Sequence, residues 1–309
     1  MIVAPDPIAH SQQESLMWKL ASTRICCVST VQAWRNEEIT LLCVIVGVIF
    51  KKVRKRNLAR THAISIKKYP KGIDWRDLSR TFQDAVTTKR ELHVRFLWID
   101  LICMIQPHKG CCNECDKVED WDVESKKMEK YFNSAYCIIA VTSARDPTEG
   151  FLDPRPVGQC VKVSSDPCNL LYVCNVVSDF GHDVEQGVLN LRAWVLQERA
   201  LSCRTVHFTT PQTYWECGKK IHCENLTRMS NPAAKSLDDR QFPRSAIEYA
   251  PSSRSFLFER HFELYSKRLI TNRADRSIAI SGLETRLAKT FETDRKYGVF
   301  GRYLHRSLL

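Results

Sequence analysis

The chain has 309 residues, 44% of them hydrophobic and 26% charged, with 46 Lys plus Arg against 35 Asp plus Glu for a net charge of +11. This composition supports a sizeable core and excludes wholesale disorder. Fourteen cysteines at irregular spacing, with no signal-peptide pattern at Met1, read as reduced thiols in an intracellular, cytoplasmic protein rather than as a disulfide framework.

The charge is unevenly spread. Residues 1–70 carry 11 basic and 4 acidic side chains, residues 71–225 carry 19 and 22, and residues 226–309 carry 16 and 9. The best-patterned region is thus the acidic one, so nucleic acid is not an expected partner. The same division gives three segments: a poorly patterned start (1–70), a central domain (71–225), and a linker with a C-terminal helical region (226–309).

Within the first segment, residues 39–50 (ITLLCVIVGVIF) form an apolar run of 12, followed by KKVRKR at 51–56. The run is short of the roughly 20 residues a membrane-spanning helix needs. It reads as a buried strand or core helix, and no membrane span is expected.

From residue 74 the pattern sharpens. Asp74 and Asp77 suggest a helix cap, after which Trp75, Leu78, Phe82, Ala85 and Val86 recur at helical spacing. Residues 95–100 (RFLWID) read as a buried strand with Asp100 near its carboxyl end. Trp121, Met128, Phe132 and Ala135 mark a second helix, and 136–142 (YCIIAVT) a second strand. This alternation predicts an α/β fold, a parallel sheet flanked by helices. Ligands in such sheets sit beyond the carboxyl ends of the strands, which makes Asp100 a candidate polar group. A strand is expected over 170–177, a helix over 191–201, short strands over 204–208 and 213–217, a polar linker over 232–251, and helices over 256–269 and 278–287.

Several blocks, in consistent order over residues 73–309, resemble the fungal heterokaryon-incompatibility (HET) domain. They are IDWRDLSRTFQDA at 73–85 with FLWIDLICMIQ at 96–106, then Asp120-Trp121 leading to Met128, Tyr131 and Ala135, then IIAVTSA at 138–144 and Gly150-Phe151-Leu152. LRAWVLQER at 191–199 follows, continued by Leu201, Ser202, Arg204, His207, Phe208 and YWEC at 214–217. The tail, with Tyr265, Ser266, Asp275, Arg276, Ala279 and Gly282, is similar to the region that follows this domain.

The resemblance implies a role in fungal nonself recognition and the programmed cell death that follows fusion of incompatible strains. It also implies a TIR-like parallel sheet with an additional C-terminal helical segment, since the family is distantly similar to Toll/interleukin-1 receptor domains. Some of those cleave NAD between nicotinamide and ribose, with a Trp four residues before the catalytic Glu. Trp194 and Glu198 have that spacing, and residues i and i+4 share a helix face. Glu198 could then stabilise the positive charge that develops on ribose, with Trp194 excluding water. Arg192 could position Glu198 or a phosphate, Asp100 could bind ribose hydroxyls, and Trp98 is a further ligand-binding candidate. The plain alternatives are an ion-paired helix carboxylate for Glu198, a salt bridge for Arg192, a loop cap for Asp100, and core packing for Trp98, Trp194 and Trp215. No cofactor is expected, NAD being the substrate of an enzyme of this kind.

The family's opening Tyr-x-x-Leu-Ser-Tyr-x-Trp-Gly segment has no counterpart before Ile73. Only 63–66 (AISI) is strand-like there, so residues 1–70 read as a degenerate or wrongly assigned first part of the domain. An enzyme therefore competes with two other readings. One is a non-catalytic module that signals by self-association or through a partner protein; the other is an inactive paralogue.

Two further chemistries have residues to name. His108, Cys111, Cys112 and Cys115 contain one Cys-x2-Cys pair, but a structural zinc site needs a second pair as tight. Cys217, His222 and Cys223 do not supply it, so no metal is expected. A Cys103 nucleophile with a His207 base would make a cysteine hydrolase, although Cys103 follows an apolar run that suggests an inert, buried thiol.

Overall fold

Residues 3–4, 43–48, 73–105, 119–144, 146–155, 160–162, 172–174, 178–217, 220–225, 227–230, 254–296 and 299–301 are described by a computed structural model. The apolar run near the start supplies the central strand, β1 (Cys43–Val48). It lies between β2 (Phe96–Trp98) and β3 (Cys137–Val141) and pairs in parallel with both. Of the two readings of that run, strand holds. Residues 63–66 lie outside the described residues.

The sheet continues from β3 to β4 (Thr205–Phe208), again in parallel. Beyond β4 it reverses: β5 (Thr213–Cys217), β6 (Lys220–Cys223) and β7 (Arg228–Ser230) follow as antiparallel neighbours. The expectation of a parallel sheet is therefore corrected to a mixed seven-stranded one, ordered β7-β6-β5-β4-β3-β1-β2. Chain length between strands is the cause. Thr209 closes a tight turn onto Gln212 by donating its backbone N–H and its hydroxyl to the Gln212 carbonyl, at 3.2 and 2.5 Å. So short a connection can only return the chain antiparallel, whereas a parallel crossover needs a dozen or so residues. A smaller antiparallel sheet joins Val3–Ala4, Tyr172–Cys174 and Cys160–Lys162.

Helices cover both faces of the sheet. Asp74 accepts from the Arg76 backbone at 2.8 Å, capping a short 3-10 turn over Trp75–Asp77 rather than the helix itself. The helix, α1, runs over Arg80–Glu91 and buries Phe82 and Ala85 against Ile139, Val141 and Phe208. Trp75 stays on the surface under the Arg90 guanidinium, 5.6 Å from the ring centroid. On the opposite face, α2 (Glu119–Ser125) and α3 (Met128–Ser134) bring Met128, Tyr131 and Phe132 against Trp98, Ile138 and Leu201. Every β3 residue is buried, as expected of a strand covered on both sides.

The helix expected over 191–201 is α4 (Ala193–Leu201), preceded by a 3-10 turn at Val188–Leu191. The C-terminal helices are α5 (Arg254–Ser266) and α6 (Ile278–Phe291). Ala193, Leu196 and Ala200 of α4 form one core with Ala279, Leu283, Leu287 and Phe291 of α6. Among the described residues no helix is long and apolar enough to cross a membrane.

Candidate active site

Helix α4 presents three different faces through three consecutive residues, because each step along a helix turns the side chain by about 100°. Gln197 bonds to α6 and Arg199 to Glu216 of β5, with Glu198 between them on the helix. Asp100 opens a single helical turn after β2, its Oδ1 accepting from the Leu101 N–H at 2.7 Å. Arg192 stands at the N-cap position of α4.

Asp100, Arg192 and Glu198 come together electrostatically. Burial pushes the Glu198 carboxyl up to about 7; the Arg192 guanidinium works against that rise and the Asp100 carboxylate adds to it. Glu198 as a residue is partly buried. A carboxyl of this kind exchanges its proton near neutral pH, the range in which acid–base groups work best.

Trp194, one turn before Glu198, is half-buried and meets Trp121 edge to face, with ring centroids 5.7 Å apart. Trp121, read from sequence only as a helix-face residue, is thus its partner, and both indoles pack against the buried cluster around Met128, Phe132 and Leu201. Trp98 sits deeper, buried against Tyr131 at 5.7 Å and Phe132 at 6.4 Å between ring centroids. Its place is the core behind the site and not the site's surface, which corrects its candidacy as a ligand-stacking residue.

The Cys103–His207 pairing is not formed. Cys103 follows β2 and His207 lies on β4, three strand spacings away across the sheet, or roughly 14 Å. Burial also pushes the Cys103 thiol up to about 12, far from the thiolate a nucleophile requires. His108, Cys111, Cys112 and Cys115 lie outside the described residues. Among the described residues no group of three or more His, Cys, Asp and Glu could hold a metal ion.

His207 instead belongs to a buried ionic network that sequence reading missed. Arg199 donates from Nε to Glu216 Oε2 at 2.8 Å and from Nη2 to Glu216 Oε1 at 2.5 Å, and His207 Nε2 lies 2.8 Å from Glu216 Oε2. The Phe180 ring lies 5.3 Å from the Arg199 guanidinium. Burial alone would raise the Glu216 carboxyl, but the charge of Arg199 and the hydrogen bond from His207 hold it well below the usual carboxylate range. Burial keeps the His207 imidazole below its ordinary value, so the ring is neutral and Nε2 carries the proton it donates. One signal could have revealed this: Tyr214 and Glu216 alternate inward along β5, and an acid on the inward face of a strand calls for a buried cation.

The fold is thus a mixed α/β domain in which helix α4 carries a carboxyl raised toward neutral pH. Residues 50–198 match the model of a family described as heterokaryon incompatibility protein (HET). The match covers just under half of the chain and marks a HET-like domain within it. No curated protein and no solved structure matches it.

Proposed function

We propose that this chain is an effector of fungal nonself recognition and programmed cell death, acting in the cytoplasm through a TIR-like cleavage of NAD. The observation that carries this reading is the Glu198 carboxyl, raised to about 7 by burial within the electrostatic reach of Arg192 and Asp100, one helical turn after Trp194. In the reaction, the bond from ribose C1′ to the nicotinamide nitrogen breaks and its electron pair leaves with neutral nicotinamide. Ionised Glu198 stabilises the cationic sugar, and water then adds its oxygen at C1′ and releases one proton. In this reading Arg192 faces a phosphate, Asp100 takes the ribose hydroxyls, and the Trp121–Trp194 pair keeps bulk water away. The test is release of nicotinamide from NAD by the purified chain at high protein concentration, beside Glu198→Gln. Activity in the parent alone is the expected result, and equal activity or none in both would overturn the reading.

A non-catalytic association module is the second reading. It is favoured by Val188, Leu191 and Leu269, large apolar residues left exposed, two of which are joined by a backbone hydrogen bond from Leu269 N to the Leu191 carbonyl at 2.7 Å. Sedimentation of the parent and of Leu269→Ser distinguishes it, since only an association face would lose its oligomer on that change.

A further inference from the structure

Glu198 is bracketed by two buried polar side chains, each anchored to a different element. On one side Arg199 is fixed to Glu216 of β5. On the other, Gln197 is fully buried, and its Oε1 accepts from the Gly282 N–H of α6 at 2.7 Å and, more weakly, from Leu283 N–H at 3.4 Å. The approach depends on Gly282 having no side chain. A Cβ there would lie 2.9 Å from Gln197 Oε1 and 3.0 Å from Glu129 Cβ. Glu129 belongs to α3 and also pairs with Arg286 of α6 at 3.3 Å, so three helices meet at this glycine.

We propose that Gln197 and Gly282 are a positioning pair for Glu198, holding the rotation of α4 from the side opposite Arg199. A single anchor fixes a point on a helix but lets it roll about that point; two anchors on opposite flanks fix the angle. Any roll of α4 would swing Glu198 relative to Asp100, which stands on a different element, since residues 197, 198 and 199 turn together. Gly282 and α6 lie outside the residues that match the family model, so the C-terminal helices set the geometry of a carboxyl that the matched domain contributes. The inference rests on the reading of Glu198 as the working carboxylate, but its test needs no substrate.

The experiment follows the titration of Glu198 in the full chain by carboxyl-carbon NMR, with Glu198→Gln assigning the signal. Gln197→Met keeps the side-chain volume and removes the acceptor, and Leu283→Ala hollows the same interface without touching it. In Gln197→Met the Glu198 midpoint is expected to fall by about one pH unit, a tenfold change in its ionisation constant. In Leu283→Ala the melting temperature falls and the midpoint stays. An unchanged midpoint in folded Gln197→Met would overturn the proposal, as would a midpoint that simply tracks melting temperature across the variants. If Gln197→Met does not accumulate, Gly282→Ala, which presses a methyl on the same amide oxygen, is read in the same way. A chain that titrates as expected but leaves NAD intact overturns the functional reading and keeps the positioning pair.

Discussion

Arg199 grips both carboxylate oxygens of Glu216 from the residue next to Glu198. The pair ties the helix that carries the candidate acid to the antiparallel half of the sheet, and both side chains are almost wholly buried. Removing one partner of such a pair strands the other charge in a region without water, at a cost of about 3–5 kcal/mol. Glu216→Ala and Arg199→Ala are each expected to lose that much in urea denaturation. The double variant should lose much less than the sum, because no charge is left stranded.

Glu198 has the opposite relation to its surroundings. Its carboxyl is raised from the ordinary 4.5 to about 7 in the folded chain, so between those values the folded state holds more proton than the unfolded one. Folding is therefore penalised increasingly as pH rises through that window, and the penalty is complete above about 7. Glu198→Gln should melt close to the parent near pH 4.5 and above it at pH 8, by about 2–4 °C for each kcal/mol relieved. Thermal melts at the two pH values check this.

His207 and Glu216 act in the acid range with the other sign. Both are lowered in the folded chain, so the folded state holds less proton and loses stability as pH falls below the ordinary His value, then further below the ordinary Glu value. His207→Gln keeps a donor toward Glu216 and cannot take up a second proton. It should flatten the loss of stability between pH 6.5 and 5, read from urea midpoints.

Asp84 joins two of the sequence blocks that mark the family. Its Oδ2 accepts from the backbone N–H of Phe151 at 2.7 Å and of Leu152 at 3.2 Å, holding the loop after β3 against α1. Asp84→Ala leaves both donors unpaired and should cost about 1–3 kcal/mol. Amide exchange at Phe151 and Leu152 should accelerate more than exchange in β3.

Cys103 and Cys137 have thiols pushed up to about 12 by burial. Neither should be alkylated by iodoacetamide at pH 8 in the folded chain. Cys103→Ser should leave NAD cleavage within about twofold of the parent, because the thiol takes no part in the proposed reaction. Mass spectrometry and nicotinamide release check the two statements.

Much of the fold was legible because its signals are local. The apolar run at 39–50 marks a strand or core helix by its composition alone, and 204–208 and 213–217 read as short strands from their own residues. The i, i+4 spacing of Trp194 and Glu198 likewise needs only helix geometry. Nothing local reveals that Asp100 and Glu198, almost a hundred positions apart, share an electrostatic environment, or that Gln197 meets Gly282. The reversal of the sheet after β4 lies in the shortness of the Thr209–Gln212 turn, a signal outweighed by the alternating pattern upstream. For Trp98 core packing is the reading that holds; a tryptophan beside a candidate acid looks the same in sequence whether it faces the ligand or the core.

The measurement that bears most directly on the proposed chemistry is cellular NAD in yeast induced to express this chain, beside Glu198→Gln at matched protein levels. NAD loss and death with the parent, and neither with Glu198→Gln, is the predicted result. Death without NAD loss, equal in both, would contradict it and leave association through the exposed Val188, Leu191 and Leu269 face as the mode of action.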